Sequence, residues 1–232
     1  MLLFFDFDIG ENFQDFTFDK SESRHIAKVL RKNIGTEITI TNGKGLEWNG
    51  VITSILNQKV IARKISSLKH SYKKKHVHLA IAPPKSNDRM EWLIEKITEL
   101  GISSITPILC DHSERKIIKK ERLIKIAISA LKQSQQFFLP EINPMVTFKK
   151  YIKNISHHGL IAHCGKSSKI ELKNYSWESD QVHLLIGPEG DFSLNEIKDA
   201  ISAKLKPVSL GQQRFRTETA GLLGCNILLL KE

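Results

Sequence analysis

Two short segments hold most of the residues whose types and spacing could do chemistry. The first runs His183-Leu184-Leu185-Ile186 into Gly187-Pro188-Glu189-Gly190-Asp191-Phe192 and Ser193. The second runs Val208-Ser209-Leu210-Gly211 through Gln212, Gln213, Arg214 and Phe215 to Arg216-Thr217-Glu218-Thr219. Each begins as a short apolar strand and ends at a helix start. In open α/β sheets ligands collect beyond the carboxyl ends of strands, so the two loops are candidate walls of one pocket. Gly187 and Gly190 would let main chain come close to a ligand. Plainer readings stand beside this one. Residues 187–190 also make a tight strand-to-helix turn, Glu218 suits the first turn of a helix through the dipole, and Arg216 could be a solvated base. The residues alone specify a ligand-binding α/β protein of open chemistry.

Several chemistries are excluded by what the segments lack. There is no GxGxxG after a strand for a dinucleotide, and no GK[ST] for a phosphate-binding loop. Cys110, Cys164 and Cys225 are scattered and form no CxxC. They suit reduced thiols in the cytoplasm. The pairs His76/His78 and His157/His158 and the dipeptide His163-Cys164 lack flanking ligands, so no metal is expected. Leu2 to Phe5 are followed at once by Asp6 and Asp8, unlike a signal peptide. The apolar run 220–230 is too short for the roughly 20 residues of a membrane span. No membrane association is expected.

The elements that must position these loops read as two regions. Residues 1–70 look β-rich. Glu37 to Thr41 alternates with period two, Asn42-Gly43-Lys44-Gly45 signals a turn, and strands follow over Leu46–Ile55 and Val60–Ile65. A helix is predicted over Ser23–Arg31 with Ile26, Val29 and Leu30 on its apolar face. Ser66–Lys75 reads as a linker. From residue 74 to 232 strands alternate with helices, which implies a parallel α/β sheet. Strands are predicted at Val77–Ala82, Ser104–Leu109, Gly159–His163, Val182–Ile186 and Pro207–Leu210. Helices are predicted at Asp88–Leu100, stopped by Gly101, at Glu121–Ser134, from Ser193 with a capping box to Glu196, and at Thr217–Leu230, mostly buried. The third would place Leu194, Ile197, Ile201 and Leu205 on one face.

The net charge is +10, and residues 73–150 hold 15 Lys and Arg against 8 Asp and Glu. The excess sits in Lys73-Lys74-Lys75, Lys85, Arg89 and the stretch from Arg115-Lys116 to Lys125. Concentrated positive charge suits a polyanion such as nucleic acid, although a solvated lysine-rich surface would look the same.

The string 185–197, Leu-Ile-Gly-Pro-Glu-Gly-Asp-Phe-Ser…Glu-Ile, and the string 210–220, Leu-Gly…Arg-Thr-Glu-Thr-Ala, together resemble the signature of the SPOUT-class enzymes that methylate N3 of a uridine in 16S ribosomal RNA. Further segments resemble the same family: His25-Ile-Ala-Lys-Val-Leu-Arg31…Gly35 with Asn42 to Gly45, Asp88 to Gly101, Ser113-Glu114-Arg115, and Gln133-Ser134…Leu139-Pro140. Gln213, Gln136 and Asp191 depart from the family pattern, the last standing where a second glycine is common. The resemblance implies a small N-terminal PUA-like β-barrel that binds RNA and a C-terminal SPOUT α/β domain threaded as a trefoil knot. It implies S-adenosyl-L-methionine as cofactor, the small ribosomal subunit's RNA as partner, and a homodimer. By match, the cofactor would meet Ile186, Gly187, Pro188, Gly190, Ser209, Leu210, Gly211 and Thr217. Arg216 would stabilise negative charge on the base, with Glu218 orienting it or accepting the N3 proton. Arg24, Arg31, Lys85, Arg89, Arg115 and Lys116 would contact RNA phosphates. Another RNA substrate, or a non-catalytic assembly factor on the same fold, are the alternatives.

Overall fold

The structure, a computed structural model, describes residues 2–56, 59–72, 75–155, 158–177 and 179–231. Lys73 and Lys74 of the basic run, and His157, lie outside the described residues. The chain divides into two compact units: Met1–Tyr72 with Leu131–Leu139, and Lys73–Ala130 with Pro140–Glu232.

The first unit is a five-stranded sheet of order β1-β3-β4-β5-β2, formed by β1 (Leu3–Phe5), β2 (Asp15–Thr17), β3 (Glu37–Thr41), β4 (Leu46–Leu56) and β5 (Lys59–Lys69). The turn between β3 and β4 places Gly43 and Gly45 at φ 71° and 89°, where a side chain is strained, which accounts for the two glycines. Gly43 and Gly45 also meet the 131–139 segment: Gly45 N–H donates to Phe137 O at 2.8 Å and Leu139 N–H to Gly43 O at 2.9 Å. Trp48, Ile26, Ile40 and Ile52 fill the core, and Trp48 Nε1 donates to Phe13 O at 2.9 Å.

Two expectations are corrected here. The ladder of β4 with β5 continues from Leu56↔Lys59 to Leu46↔Lys69, so Ser66–Lys69 is strand and not linker. The single predicted helix is instead α1 (Lys20–Arg24), capped by Asp19 accepting from Glu22 N–H, followed by one wide turn over His25–Val29. The wider turn rotates the side chains past the regular spacing. Ile26 is fully buried, but Val29 is 65 % exposed.

The second unit is an eight-stranded parallel sheet. Its strands are β6 (His76–Ile81), β7 (Ser104–Leu109), β8 (Glu141–Ile142), β9 (Val146–Thr147), β10 (Gly159–Ala162), β11 (Ile170–Glu171), β12 (Gln181–Ile186) and β13 (Lys206–Ser209). The order is β11-β13-β10-β12-β6-β7-β8, with β9 beside β7. The helices are α2 (Asn87–Leu100), α3 (Lys120–Ser134), whose residues from Leu131 on are grouped with the first unit, α4 (Phe148–Asn154), α5 (Leu194–Ser202) and α6 (Thr217–Leu229). Helices on both faces explain why β6 and β12 read as nearly continuous apolar runs. Gly101 ends α2 at φ 79°, and the capping box of Ser193 with Glu196 starts α5, both as the sequence predicts.

Helix α5 turns a different face inward from the predicted one. Ile197 and Leu205 are buried, but Leu194 and Ile201 are 76 % and 47 % exposed. The buried face is Glu196, Ile197 and Ala200, because the Glu196 carboxylate points inward to accept the N–H groups of Asp111 and Ser193. Helix α6 is buried on one face only. Gly221 and Gly224 let it approach the sheet so closely that a Cβ on Gly224 would lie 2.4 Å from Leu184 Cδ2. Leu222, Leu223, Ile227 and Leu229, on the other side, stay half-buried.

At the start of β6 and β12 the imidazoles of His78 and His183 stack at 4.7 Å, with His76 a further 6.3 Å from His78. His183 Nδ1 lies 2.9 Å from Tyr151 Oη, and His78 Nδ1 lies 2.7 Å from Ser104 Oγ. Burial, then the neighbouring His78, pushes the His183 pKa down to about 4; burial, then His76, also lowers that of His78. The folded state therefore binds fewer protons than the unfolded one. The stability these groups provide is complete above the ordinary histidine range and is lost as pH falls toward 4. Between pH 7 and pH 4 the His183 share of the loss is about 2–3 kcal/mol. The His183→Gln variant, followed by thermal melts across that range, should show a correspondingly flatter decline in Tm. Parallel curves would remove His183 as the cause.

Candidate active site

The sheet order sets the site. Strand β10 lies between β12 and β13, with Ala162 paired to Ile186 on one side and to Val208 on the other. All three strands run parallel, so their exits open at the same sheet edge. There they enclose a cavity of about 580 Å³, within the usual range for a small-molecule site of roughly 300–1,000 Å³. One wall is the β12 exit, one the β13 exit and one the β10 exit, with Arg216, Thr217 and Ala220 from the start of α6 beside them.

The glycines on these walls are where main chain must approach closely. A Cβ on Gly187 would sit 3.0 Å from the buried Phe192 ring and 3.1 Å from Phe192 N. Gly211 has φ 143°, and its turn closes on Ser209, whose hydroxyl donates to Gly211 O at 3.0 Å and accepts from Gly211 N–H at 3.3 Å. Ile186, Val208, Leu210 and Ala162 supply apolar lining, while Glu189, Asp191, Lys169 and Arg214 supply charge.

The 187–193 loop is tied to its neighbours on several sides. Thr217 Oγ1 donates to Gly187 O at 3.2 Å, and Lys85 N–H donates to Glu189 Oε1 at 3.0 Å. His112 Nδ1 lies 3.1 Å from Gly190 O and 3.0 Å from Asp191 O. Ser193 Oγ donates to Asp111 Oδ2 at 2.6 Å. Such bonds hold a site in shape before a ligand arrives.

Of the residues expected to meet a cofactor, Ile186, Gly187, Pro188, Ser209, Leu210, Gly211 and Thr217 line the cavity, as does Arg216. Gly190 stands behind the lining, where a Cβ would lie 3.2 Å from His112 Cβ. Glu218 is buried and does not line the cavity. Its Oε1 lies 3.6 Å from Arg89 Nε, so its ion-pair partner is Arg89 and not Arg216. Its Oε2 is buried with no hydrogen-bond partner among the described residues.

The expected RNA-contacting bases have distinct surroundings. Arg24 and Arg31 are exposed in the first unit, Arg31 at φ 50°. Lys116 is exposed in the second unit, and Lys85 Nζ pairs with Glu114 at 2.9 Å. Arg115 is turned to its own chain: it donates to Pro84 O at 3.0 Å, to Lys85 O and to the Asn87 side chain. That pins the loop leading into α2.

The β10 exit is the part of the site that the sequence did not single out as cavity wall. His163, Cys164 and Lys169 line it, and the His163 pKa is lowered by burial and then by the Lys169 charge. The only local signal was a four-residue apolar strand ending in His-Cys-Gly, which carries no ligand-binding pattern.

Comparison with known proteins agrees with this geometry. A family model described as an RNA methyltransferase domain matches residues 71–229, and another described as an RNA methyltransferase PUA domain matches residues 18–65. The ribosomal RNA small subunit methyltransferase E of Buchnera aphidicola (Acyrthosiphon pisum) is 32 % identical over 92 % of this chain and 87 % of its own length. That of Rickettsia conorii is 29 % identical over 85 % and 82 %. The crystal structure of the Neisseria gonorrhoeae ribosomal RNA small subunit methyltransferase E bound to S-adenosyl methionine superposes with a TM-score of 0.87, at 25 % identity, over 100 % of this chain and 98 % of that one. The chain belongs to the RNA methyltransferase family that includes the ribosomal RNA small subunit methyltransferases E, with their SPOUT-type α/β fold and PUA domain.

Proposed function

We propose that the chain transfers a methyl group from S-adenosyl-L-methionine to N3 of a uridine in 16S ribosomal RNA. The observation that carries this reading is the cavity at the exits of β10, β12 and β13, with Arg216 on its lining. Its features suit the cofactor. Main chain at Gly187 and Gly211 is bare enough to hold a planar base edge, the apolar side chains suit its adenine, and the charged side chains suit its amino-acid end. Ile186, Gly187, Pro188, Ser209, Leu210, Gly211 and Thr217 would hold it, with Gly190 shaping the loop behind. When bound, it supplies a methyl group already activated for nucleophilic attack.

The chain's own residues then have to present a uridine and handle its N3 proton. Arg216 is proposed to stabilise the negative charge that builds on the uracil carbonyl oxygens as the proton leaves. Glu218 is proposed to take that proton, with one carboxylate oxygen beside Arg89 and the other bare. Positioning of the two reactants supplies much of the remaining rate.

The wider reading follows the same line. Residues 1–70 form the PUA-like RNA-binding domain and residues 74–232 the methyltransferase domain, with a trefoil knot around the 186–190 and 209–211 loops. Arg24, Arg31, Lys85, Arg89 and Lys116 would contact RNA phosphates, with Arg115 holding the loop that leads into α2. The half-buried apolar side of α6 supports a homodimer, and the three free cysteines support a reducing cytoplasm. Among the described residues, no helix is long and apolar enough to cross a membrane. Isothermal titration with S-adenosylmethionine tests the reading at its base. Saturable one-site binding is expected; a flat titration would leave an RNA-binding factor without a catalytic role.

A further inference from the structure

We propose that Asp191 is a positioning residue that braces the methyl-donor cavity by tying the exit of β12 to the exit of β10. The proposal rests on the reading of that cavity as the S-adenosylmethionine site.

The ladder of β10 with β12 ends at Ala162↔Ile186, and no further pairing of their exits is present among the described residues. Both exits are cavity walls. Asp191 closes the gap with its side chain. Its Oδ2 accepts from Cys164 N–H at 2.8 Å and its Oδ1 from Phe192 N–H at 2.9 Å. A carboxylate accepting two main-chain amides is charge-assisted and holds its geometry well.

The backbone at Asp191 is set up for this. Its N–H donates to Pro188 O at 2.9 Å, closing a turn, and its φ is 64°, in the left-handed region. Aspartate tolerates that conformation better than most residues but less well than glycine. If the turn alone mattered, glycine would serve better. The carboxylate is what aspartate adds.

The β10 exit is gripped from the other side as well. Lys169 Nζ donates to His163 O at 3.0 Å and also to Gly165 O. The 163–165 segment therefore has its amide held by an anion and its carbonyls by a cation, and Asp191, Lys169, His163 and Cys164 all line the cavity. Removing the anion frees one wall while leaving the fold and the other walls in place.

The test compares Asp191→Gly and Asp191→Asn with the wild-type full chain. Thermal melting, titration calorimetry with S-adenosylmethionine, and amide exchange at Cys164 by NMR are the measurements. Glycine is at home at φ 64°, so Asp191→Gly should melt within a few degrees of wild type. It should bind S-adenosylmethionine on the order of tenfold more weakly, since order once built in must now be imposed by the ligand. Cys164 amide exchange in the free protein should quicken by a similar factor. Asparagine fits the turn but offers one acceptor oxygen in place of two, so its affinity should fall between the others. Wild-type affinity in Asp191→Gly, alongside normal binding by the wild type, would overturn the brace alone. A wild type that bound no S-adenosylmethionine would remove the cofactor reading and the proposal together.

Discussion

Replacing Arg216 by methionine should lower the turnover of methyl transfer by about 10²–10³-fold while leaving S-adenosylmethionine affinity within a few-fold of wild type. Arg216 is the N-cap residue of α6, with extended backbone (φ −65°, ψ 155°), and its side chain is exposed beside the cavity. No ion pair to it is present among the described residues, so its charge is available to a substrate. The first amides of α6 add a positive field at the same place. A charge-stabilising group acts on the transition state more than on the bound cofactor, so the loss belongs in kcat and not in cofactor binding. Methionine keeps much of the length and apolar contact and removes the charge. An equal loss of cofactor affinity would instead make Arg216 a wall of the cavity with no part in the chemistry.

Glu218→Gln should have a comparable or larger effect, about 10²–10⁴-fold on turnover, because general-base catalysis contributes on that scale. Glutamine preserves size but cannot take up a proton at neutral pH, and it also removes the charge paired with Arg89 at 3.6 Å. Glu218 is 6 % exposed, and its Oε2 lacks a partner among the described residues. Leaving a carboxylate oxygen bare in a buried setting is costly unless something uses it. The melting temperature and S-adenosylmethionine affinity of the variant separate chemistry from packing. Unchanged turnover would remove Glu218 from the reaction and leave it as the buried anchor of Arg89. A loss of turnover matched by a loss of fold would support the same structural role.

Much of the architecture was legible because it is written in local patterns. The strand-helix alternation after residue 74, the Gly101 stop and the Ser193–Glu196 capping box all depend on residues within a few positions of one another, and the structure shows each. The two loops at the ends of β12 and β13 were legible because glycines and charges interrupt apolar strands there. What was hidden depends on contacts across the fold. The Glu218–Arg89 pair joins residues from α6 and α2, and the β10 wall becomes part of the site only through sheet order. The α5 face was misplaced because one inward carboxylate, Glu196, counts as polar in any periodicity yet is 3 % exposed. Val29 was misplaced by a wide helical turn that no spacing rule anticipates. The grouping of Leu131–Leu139 with the first unit rests on main-chain bonds to Gly43 and Gly45 and on aromatic contacts such as His70 with Phe137, all between residues far apart in sequence.

The most direct trial of the account is to incubate the protein with isotope-labelled S-adenosylmethionine and small ribosomal subunits lacking their native base methylation, then digest the RNA and identify the labelled nucleoside by mass spectrometry. The expected result is label in 3-methyluridine at a single position of 16S ribosomal RNA, appearing about 10²–10³-fold more slowly with Arg216→Met. Label on a ribose hydroxyl or another base, or none in an enzyme that binds the cofactor, would contradict it.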